Sequence, residues 1–131
     1  MTRKQAEQLF GINHEIWLER RRVQEFLAAK SDPSVSITGL PHLNSRVYSG
    51  KVEIEILQKA VEKRIERLVK RYLEIMDFIE QEPDSWARQL LTLRCLYGLP
   101  WERVAQSMGG NNTPGGVKRA YYRYFEKKRE N

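Results

Sequence analysis

Apolar residues recur at helical spacing in the first thirty positions of the chain. The positions that define the stripe are separated by three, four, seven and three residues: Leu9, Ile12, Ile16, Val23 and Phe26. This spacing predicts an amphipathic helix over about 2–30 with an interrupted seam, because Glu19 fills one expected apolar position. Asp32-Pro33 then ends the helix, since the residue before a proline disfavours helical backbone angles.

A second periodic stretch follows a segment of a different kind. Residues 31–50 are rich in Ser, Pro, Gly and Asn and predict a loop of about twenty residues. From near Gly50 to about Glu80 the apolar period returns in a wide stripe, which suits a helix with more than one partner. Two such helices predict an antiparallel hairpin or coiled coil. Their combined apolar surface is more than one hairpin covers, so we expect a homo-oligomer, a dimer or higher.

The last fifty residues predict three shorter helices. Asp84 or Ser85 can cap a helix that carries Trp86, Leu90, Leu93 and Tyr97, and Gly98 can end it. Pro100 can begin a short helix with Trp101, Val104, Ala105 and Met108 on its apolar face, which Gly109-Gly110 ends. Thr113 is a natural N-cap for a final helix that starts at Pro114.

The final helix has an apolar side and a basic side. Its apolar side contains Val117, Ala120, Tyr121, Tyr124 and Phe125. The order of helix, turn, short helix, glycine-containing turn and basic helix is typical of a helix-turn-helix. The predicted fold is therefore all-α: a long N-terminal helical hairpin or coiled coil over residues 1–82, followed by a three-helix helix-turn-helix domain over residues 83–131.

Composition narrows the function classes. The 131 residues are 40% hydrophobic and 31% charged, and they contain no apolar run near the roughly 20 residues that a bilayer requires. We expect no membrane association and a cytoplasmic protein. The single Cys95 cannot form an internal disulfide, and neither His14 nor His42 stands at metal-ligand spacing. No catalytic or phosphate-loop motif is present, so we expect no enzyme, no metal and no cofactor.

Charge points to a polyanionic partner. The formal net charge is +6, and residues 117–129 contain one acidic side chain, Glu126, among six basic ones: Lys118, Arg119, Arg123, Lys127, Lys128 and Arg129. A concentrated basic face is the electrostatic footprint of nucleic-acid binding. The charged face of the second long helix interleaves lysine and arginine with glutamate, which is more typical of a solvated surface.

The C-terminal part resembles a known family. The run SWARQLLTLRCLYGLPWERVAQSMGGNNTPGGVKRAYYRYFEK is similar to region 4 of bacterial sigma factors and, more closely, to small phage regulators of the ArpU-like type. The matching residues are Leu93, Arg94, Gly98, Leu99, Trp101, Glu102, Val104, Ala105, Met108, Gly109, Thr113, Val117 and Arg123. Pro100 departs from the polar residue usual before the tryptophan. Gly115-Gly116 occupy the first turn of the recognition helix and remove two possible base contacts.

The resemblance implies a phage or prophage transcriptional regulator that binds double-stranded DNA and docks its last helix in the major groove. The residues expected at the DNA are Asn112, Thr113, Lys118, Arg119, Tyr122, Arg123 and Lys127. Two alternatives remain open. One is a DNA-packaging protein like a terminase small subunit, which also joins a helix-turn-helix to an oligomerising part. The other is a protein-interaction module that binds RNA polymerase or another regulator.

Several side chains have a structural interpretation instead. We expect Trp86, Trp101, Tyr121 and Tyr124 in the core, since large aromatic residues are usually buried, and Cys95 as a small packing residue. Arg94 has two interpretations, an ion pair with Glu102 or a phosphate contact.

Overall fold

The structure is a computed structural model that describes residues 1–31 and 51–130. Within these ranges every regular element is helical, which confirms the predicted all-α class. The elements are α1 (Arg3–Ala6), α2 (Gln8–Ser31), α3 (Lys51–Glu80), α4 (Ser85–Leu91) with a π-helical turn (Thr92–Leu96), α5 (Trp101–Met108) and α6 (Pro114–Glu130). The predicted loop lies outside the described residues except for Ser31. No helix of the described ranges is long and apolar enough to cross a membrane.

The described residues form two compact units. The first combines residues 1–13 with the chain from residue 71 onward, and the second comprises residues 14–70. The boundary predicted between residues 82 and 83 therefore lies inside the first unit. The first unit includes the beginning of the chain and the end of α3 because their side chains are buried together. Ala6 and Leu9 share one apolar core with Ile75 and Ile79 of α3 and with residues of all the later helices.

The core of the first unit is built from side chains of α1 to α6. Its buried members beyond α3 are Leu90, Leu91, Cys95, Val104, Ala105, Val117, Tyr121 and Phe125. Gly98 follows the π-helical turn with φ of 62°, as expected for a helix-ending glycine. The ring of Phe10 lies so close that a Cβ on Gly98 would be 2.9 Å from it. Both the backbone angle and the close approach thus require glycine here.

The helix that the sequence predicts after Pro83 is α-helical only in its first part. Tyr97 donates its backbone N–H to the Thr92 carbonyl at 3.2 Å, five residues earlier, which is the bond of a π-helical turn. The wider turn changes which side chains face inward: Leu91 and Cys95 are buried, whereas Tyr97 is 58% exposed. The expectation that Tyr97 continues the apolar face is wrong for this reason.

The second unit has a smaller apolar core and one buried charge. Phe26, Ala29, Ile54 and Val61 form the core. Glu19, which interrupts the apolar seam, is 6% exposed. Its carboxylate lies 3.1 Å from Arg22 and 3.5 Å from Arg64, so the buried charge is paired, as burial requires.

Ion pairs show the relative direction of the helical segments within the second unit. Glu19 is paired with Arg64, and Lys30 lies 3.8 Å from Glu55. Later residues of α2 therefore meet earlier residues of α3, and the two segments run antiparallel in this unit. The connection between them falls in residues 32–50, outside the described ranges.

Candidate nucleic-acid interface

One side of α6 is anchored in the core of the first unit. Val117, Tyr121 and Phe125 recur every four residues and are at most 7% exposed. Tyr121 packs edge-on against Trp101 of α5, with ring centroids 5.1 Å apart. Because this side is fixed, the opposite side of α6 is held toward solvent.

The exposed side of α6 carries two rows of side chains. Arg119, Arg123 and Lys127 form one row at spacing of four, and all three are exposed. Lys118, Tyr122 and Glu126 form the neighbouring row; Tyr122 is 37% exposed, and Glu126 is also exposed. Like charges at this spacing repel and destabilise a helix by about 0.2–0.5 kcal/mol per pair. The row is therefore a local cost to stability, which an anionic partner would remove.

These cations have no acidic partners within the described part of the chain. Lys118, Arg119, Arg123 and Lys127 make no ion pair there, whereas Lys128 lies 3.6 Å from the Glu82 carboxylate. Five of the predicted site residues thus lie together, exposed, on one side of α6: Lys118, Arg119, Tyr122, Arg123 and Lys127.

The two remaining predicted residues, Asn112 and Thr113, shape the start of α6. Asn112 donates its side-chain amide to the Gly109 carbonyl at 2.7 Å, which closes the turn after α5. Thr113 accepts the Gly116 N–H on its hydroxyl at 3.0 Å and is the N-cap, as predicted. Since Pro114 has no N–H, the N–H of Gly115 is the first-turn donor left without a partner in the described ranges.

The paired glycines of this first turn are not equivalent. A Cβ on Gly116 would lie 2.9 Å from the Thr113 hydroxyl oxygen, which already accepts the cap hydrogen bond. A Cβ on Gly115 would lie 3.5 Å from a guanidinium nitrogen of Arg119, an ordinary contact. Gly116 is thus required by the cap, while Gly115 leaves open the surface over which the Arg119 side chain extends.

Gly115→Ala and Gly116→Ala are expected to have different effects on stability. Alanine at 115 raises the free energy of unfolding by about 0.5 kcal/mol, because it lowers the entropy of the unfolded chain. Alanine at 116 lowers it by about 1 kcal/mol, because the cap hydrogen bond is displaced. Urea denaturation of the two variants measures the difference. Equal effects would contradict this account of the cap.

A buried carboxylate holds the C-terminal half of α6. Glu82 is 8% exposed, and Tyr124 donates its hydroxyl to this carboxylate at 2.7 Å. The backbone N–H of Asp84 donates to its other oxygen at 3.3 Å. Burial alone would raise the pKa of Glu82, but these hydrogen bonds and Lys128 outweigh it and lower the pKa below the ordinary value. Burial and the bond to Glu82 raise the pKa of Tyr124. The turn after α3 is thereby tied to α6.

A second polar group ties the beginning of the chain to the middle of α6. Tyr121 donates its hydroxyl to Glu7 at 3.0 Å, and the Cys95 sulfur lies 3.7 Å from the same hydroxyl. Burial raises the pKa of Tyr121, and it raises the pKa of the Cys95 thiol to about 11. Cys95 is buried in the core, which confirms the prediction of a small packing residue.

Two sequence interpretations need correction. Trp86 is 38% exposed and is not a core residue, because the buried side of α4 is formed by Ala87, Leu90 and Leu91. Arg94 donates to the Leu99 carbonyl at 2.8 Å, and its guanidinium lies 4.2 Å from the Trp101 ring centroid. No ion pair joins Arg94 to Glu102 in the described ranges, so that interpretation is wrong, whereas a phosphate contact stays a prediction. Arg94 joins the π-helical turn to α5.

Sequence reasoning did not identify Arg3, Glu7 or Glu82 as contributors to this region. Glu82 adjoins Pro83 and could have been suspected as a turn residue, but its partner Tyr124 is 42 positions away. No local signal marks Arg3 and Glu7, whose contacts with α6 arise only from the tertiary packing.

The described residues contain no group of three or more His, Cys, Asp and Glu side chains that could hold a metal ion. Comparison of the chain with protein-family models, with curated protein sequences and with solved structures found no match.

Proposed function

We propose that the protein is a DNA-binding transcriptional regulator of the phage or prophage type, which places α6 in the major groove of duplex DNA. The observation that carries the proposal is the row of Arg119, Arg123 and Lys127, exposed and unneutralised on a helix whose other side is buried. The phage or prophage assignment rests on the resemblance of the C-terminal sequence to the ArpU-like regulators.

The chemistry of the row suits duplex DNA. Guanidinium groups bind phosphates and can bind the O6 and N7 atoms of guanine through two hydrogen bonds, while lysine acts as a point charge for phosphate. The glycines in the first turn offer no side chains to bases. On α6, the side chains that can read bases are Arg119, Tyr122 and Arg123. Both arginines can bind phosphate instead, and Lys118 and Lys127 bind the backbone.

The anchoring of α6 supports the same role. Tyr121 and Tyr124 bond to carboxylates on two other segments of the first unit, so the exposed row is fixed before DNA arrives. A preorganised surface loses less conformational entropy on binding than a flexible basic tail. Cationic residues of α3 lack this arrangement, because glutamates interleave with them and Arg64 is paired with Glu19.

Duplex binding and its salt dependence test the proposal. We expect a fluorescently labelled duplex to bind with a plot of log K against log salt that has a slope of about −4 to −5, because about five phosphates are neutralised per α6. Fluorescence anisotropy between 50 and 300 mM salt gives this slope. A flat plot, or no binding at the lowest salt, overturns the proposal and favours a protein-interaction module.

Self-association is part of the proposed function. In the second unit, large apolar side chains remain in solvent: Trp17 is 57% exposed, Val52 66% and Ile56 64%. Val52 and Ile56 are one helical turn apart and share one face of α3. We propose that another copy of this chain covers this face, since contiguous exposed apolar surface marks interaction sites. Sedimentation equilibrium is expected to give a dimer. A ring of eight or more copies would favour the DNA-packaging alternative, and a monomer at micromolar concentration would contradict self-association.

A further inference from the structure

The first turn of the chain lies against the exposed side of α6. Thr2 caps α1 with a reciprocal pair of hydrogen bonds: its hydroxyl accepts the backbone N–H of Gln5, and its own backbone N–H donates to the Gln5 side-chain oxygen. Ala6 and Leu9, both fully buried, fix the segment in the same core as Tyr121. The residues of this turn therefore have defined positions relative to α6.

Arg3 is the residue of this turn that reaches the proposed DNA surface. Its guanidinium carbon lies 4.7 Å from the ring centroid of Tyr122, and its Nη1 lies 3.2 Å from the Glu7 carboxylate. The Arg3 side chain is 35% exposed. Since Tyr122 follows Lys118 by one helical turn and Arg119 by three residues, Arg3 extends the cationic surface of α6 across the Tyr122 ring.

We propose that Arg3 is a further DNA-binding residue, which contacts a backbone phosphate beside the groove that holds α6. This inference rests on the proposed function. Arginine has five N–H donors in a planar fork, and Glu7 accepts from one of its terminal nitrogens in the free protein. The other donors have no protein partner in the described ranges. The stacked ring keeps the fork oriented, so binding a phosphate requires little reordering.

Glu7 limits this contact. Its Oε1 atom accepts both from Arg3 and from the Tyr121 hydroxyl. A carboxylate beside a phosphate is repelled, and it also holds the Arg3 charge in an internal pair. Glu7 therefore has two opposite effects. It weakens DNA binding through its charge, and it anchors α6 through the hydrogen bond from Tyr121. A glutamine at this position retains the oxygen that accepts from Tyr121 but carries no charge.

Four variants test the role of Arg3 by duplex binding. Arg3→Ala is expected to weaken binding about fivefold at 0.1 M salt and to reduce the magnitude of the salt slope by about 0.9, the effect of one lost phosphate contact. Lys4→Ala is the matched control: it removes one charge from the neighbouring exposed position, which has no ion pair, side-chain hydrogen bond or cation–π contact among the described residues. We expect less than a twofold change for it.

Glu7→Gln tests whether Arg3 contacts DNA itself or only neutralises the charge of Glu7. We expect it to strengthen binding about twofold to fivefold, and we expect Arg3→Ala combined with Glu7→Gln to bind about fivefold more weakly than Glu7→Gln alone. If Arg3 served only to neutralise Glu7, the double variant and Glu7→Gln would bind equally, and the inference would be wrong. Equal losses for Arg3→Ala and Lys4→Ala would also overturn it, because net charge alone would then explain both.

Failure of the role proposed for Arg3 can be distinguished from failure of the proposed function. If the wild-type protein binds duplex DNA with the expected slope while Arg3→Ala leaves affinity and slope unchanged, only the role of Arg3 is lost. If the wild-type protein does not bind, both are lost. Thermal unfolding of each variant excludes a folding defect as the cause of weaker binding.

Discussion

Replacing Glu82 with glutamine is expected to lower the free energy of unfolding by about 2 kcal/mol at pH 7, because a hydrogen bond to a buried charged group contributes about 1.5–3 kcal/mol. The carboxylate accepts from the Tyr124 hydroxyl and the Asp84 backbone N–H and pairs with Lys128. A neutral amide keeps the shape of the side chain but loses these charge-assisted interactions. Urea denaturation monitored by circular dichroism measures the loss.

The pH dependence identifies the charge as the cause. The pKa of Glu82 is lowered from its ordinary value of 4.5. Its contribution to stability is therefore complete above about pH 4.5 and is lost as the pH falls through the still lower folded pKa. We expect the difference between wild type and Glu82→Gln to be the same at pH 7 and pH 5.5 and to shrink below pH 4.5.

Glu80→Gln provides the matched control. Glu80 is exposed and lies two positions before Glu82, and it has no hydrogen bond or ion pair in the described ranges. Its substitution is expected to change stability by less than about 0.5 kcal/mol, as for most exposed positions. An equal loss in both variants would show that Glu82 has no special role in holding α6.

The double substitution Arg119→Ala and Arg123→Ala is expected to weaken duplex binding about thirtyfold at 0.1 M salt. Two phosphate or guanine contacts are lost, and the magnitude of the salt slope should fall by about 1.8 if both contacts are to phosphate. The fold should persist, because both side chains are exposed and the change relieves a like-charge pair at spacing of four. Fluorescence anisotropy gives the affinity, and thermal unfolding confirms the fold.

Lys63→Ala combined with Arg67→Ala on α3 is the matched control for this pair. These two residues are also exposed and also four positions apart, so the variant removes the same charge with the same helical spacing. We expect less than a threefold loss of affinity. Comparable losses in the two double variants would mean that total charge, and not the surface of α6, determines binding.

The local elements could be predicted because short-range chemistry determines them. Thr113 and Pro114 mark the start of α6 as a cap and a first-turn residue, and the structure confirms both. The bounds of α3 agree with the apolar period from Gly50 to Glu80. The exposure of Arg119 and Arg123 follows from the apolar period of α6 itself, which places Val117 and Tyr121 on the opposite side.

The π-helical turn and the exposure of Trp86 could not be predicted in this way. An apolar pattern with steps of three and four fits an α-helix, but here the backbone widens by one residue so that Cys95 reaches the core and Arg94 reaches the Leu99 carbonyl. The carboxylates that anchor α6 could not be predicted from the sequence either. Glu7 contacts Tyr121, and Glu82 contacts Tyr124, only when segments distant in sequence pack together. No local sequence pattern indicates such contacts.

The pairing of Glu7 with Tyr121 joins residues 114 positions apart, and this has a consequence for biosynthesis. The core that contains Ala6 and Leu9 cannot close until Phe125 has left the ribosome. Contacts of such long sequence separation slow folding, because the entropy of loop closure is lost before they form. The segment that contains Ala6 and Leu9 therefore stays without its core partners until α6 has left the ribosome, and the first unit assembles only after that.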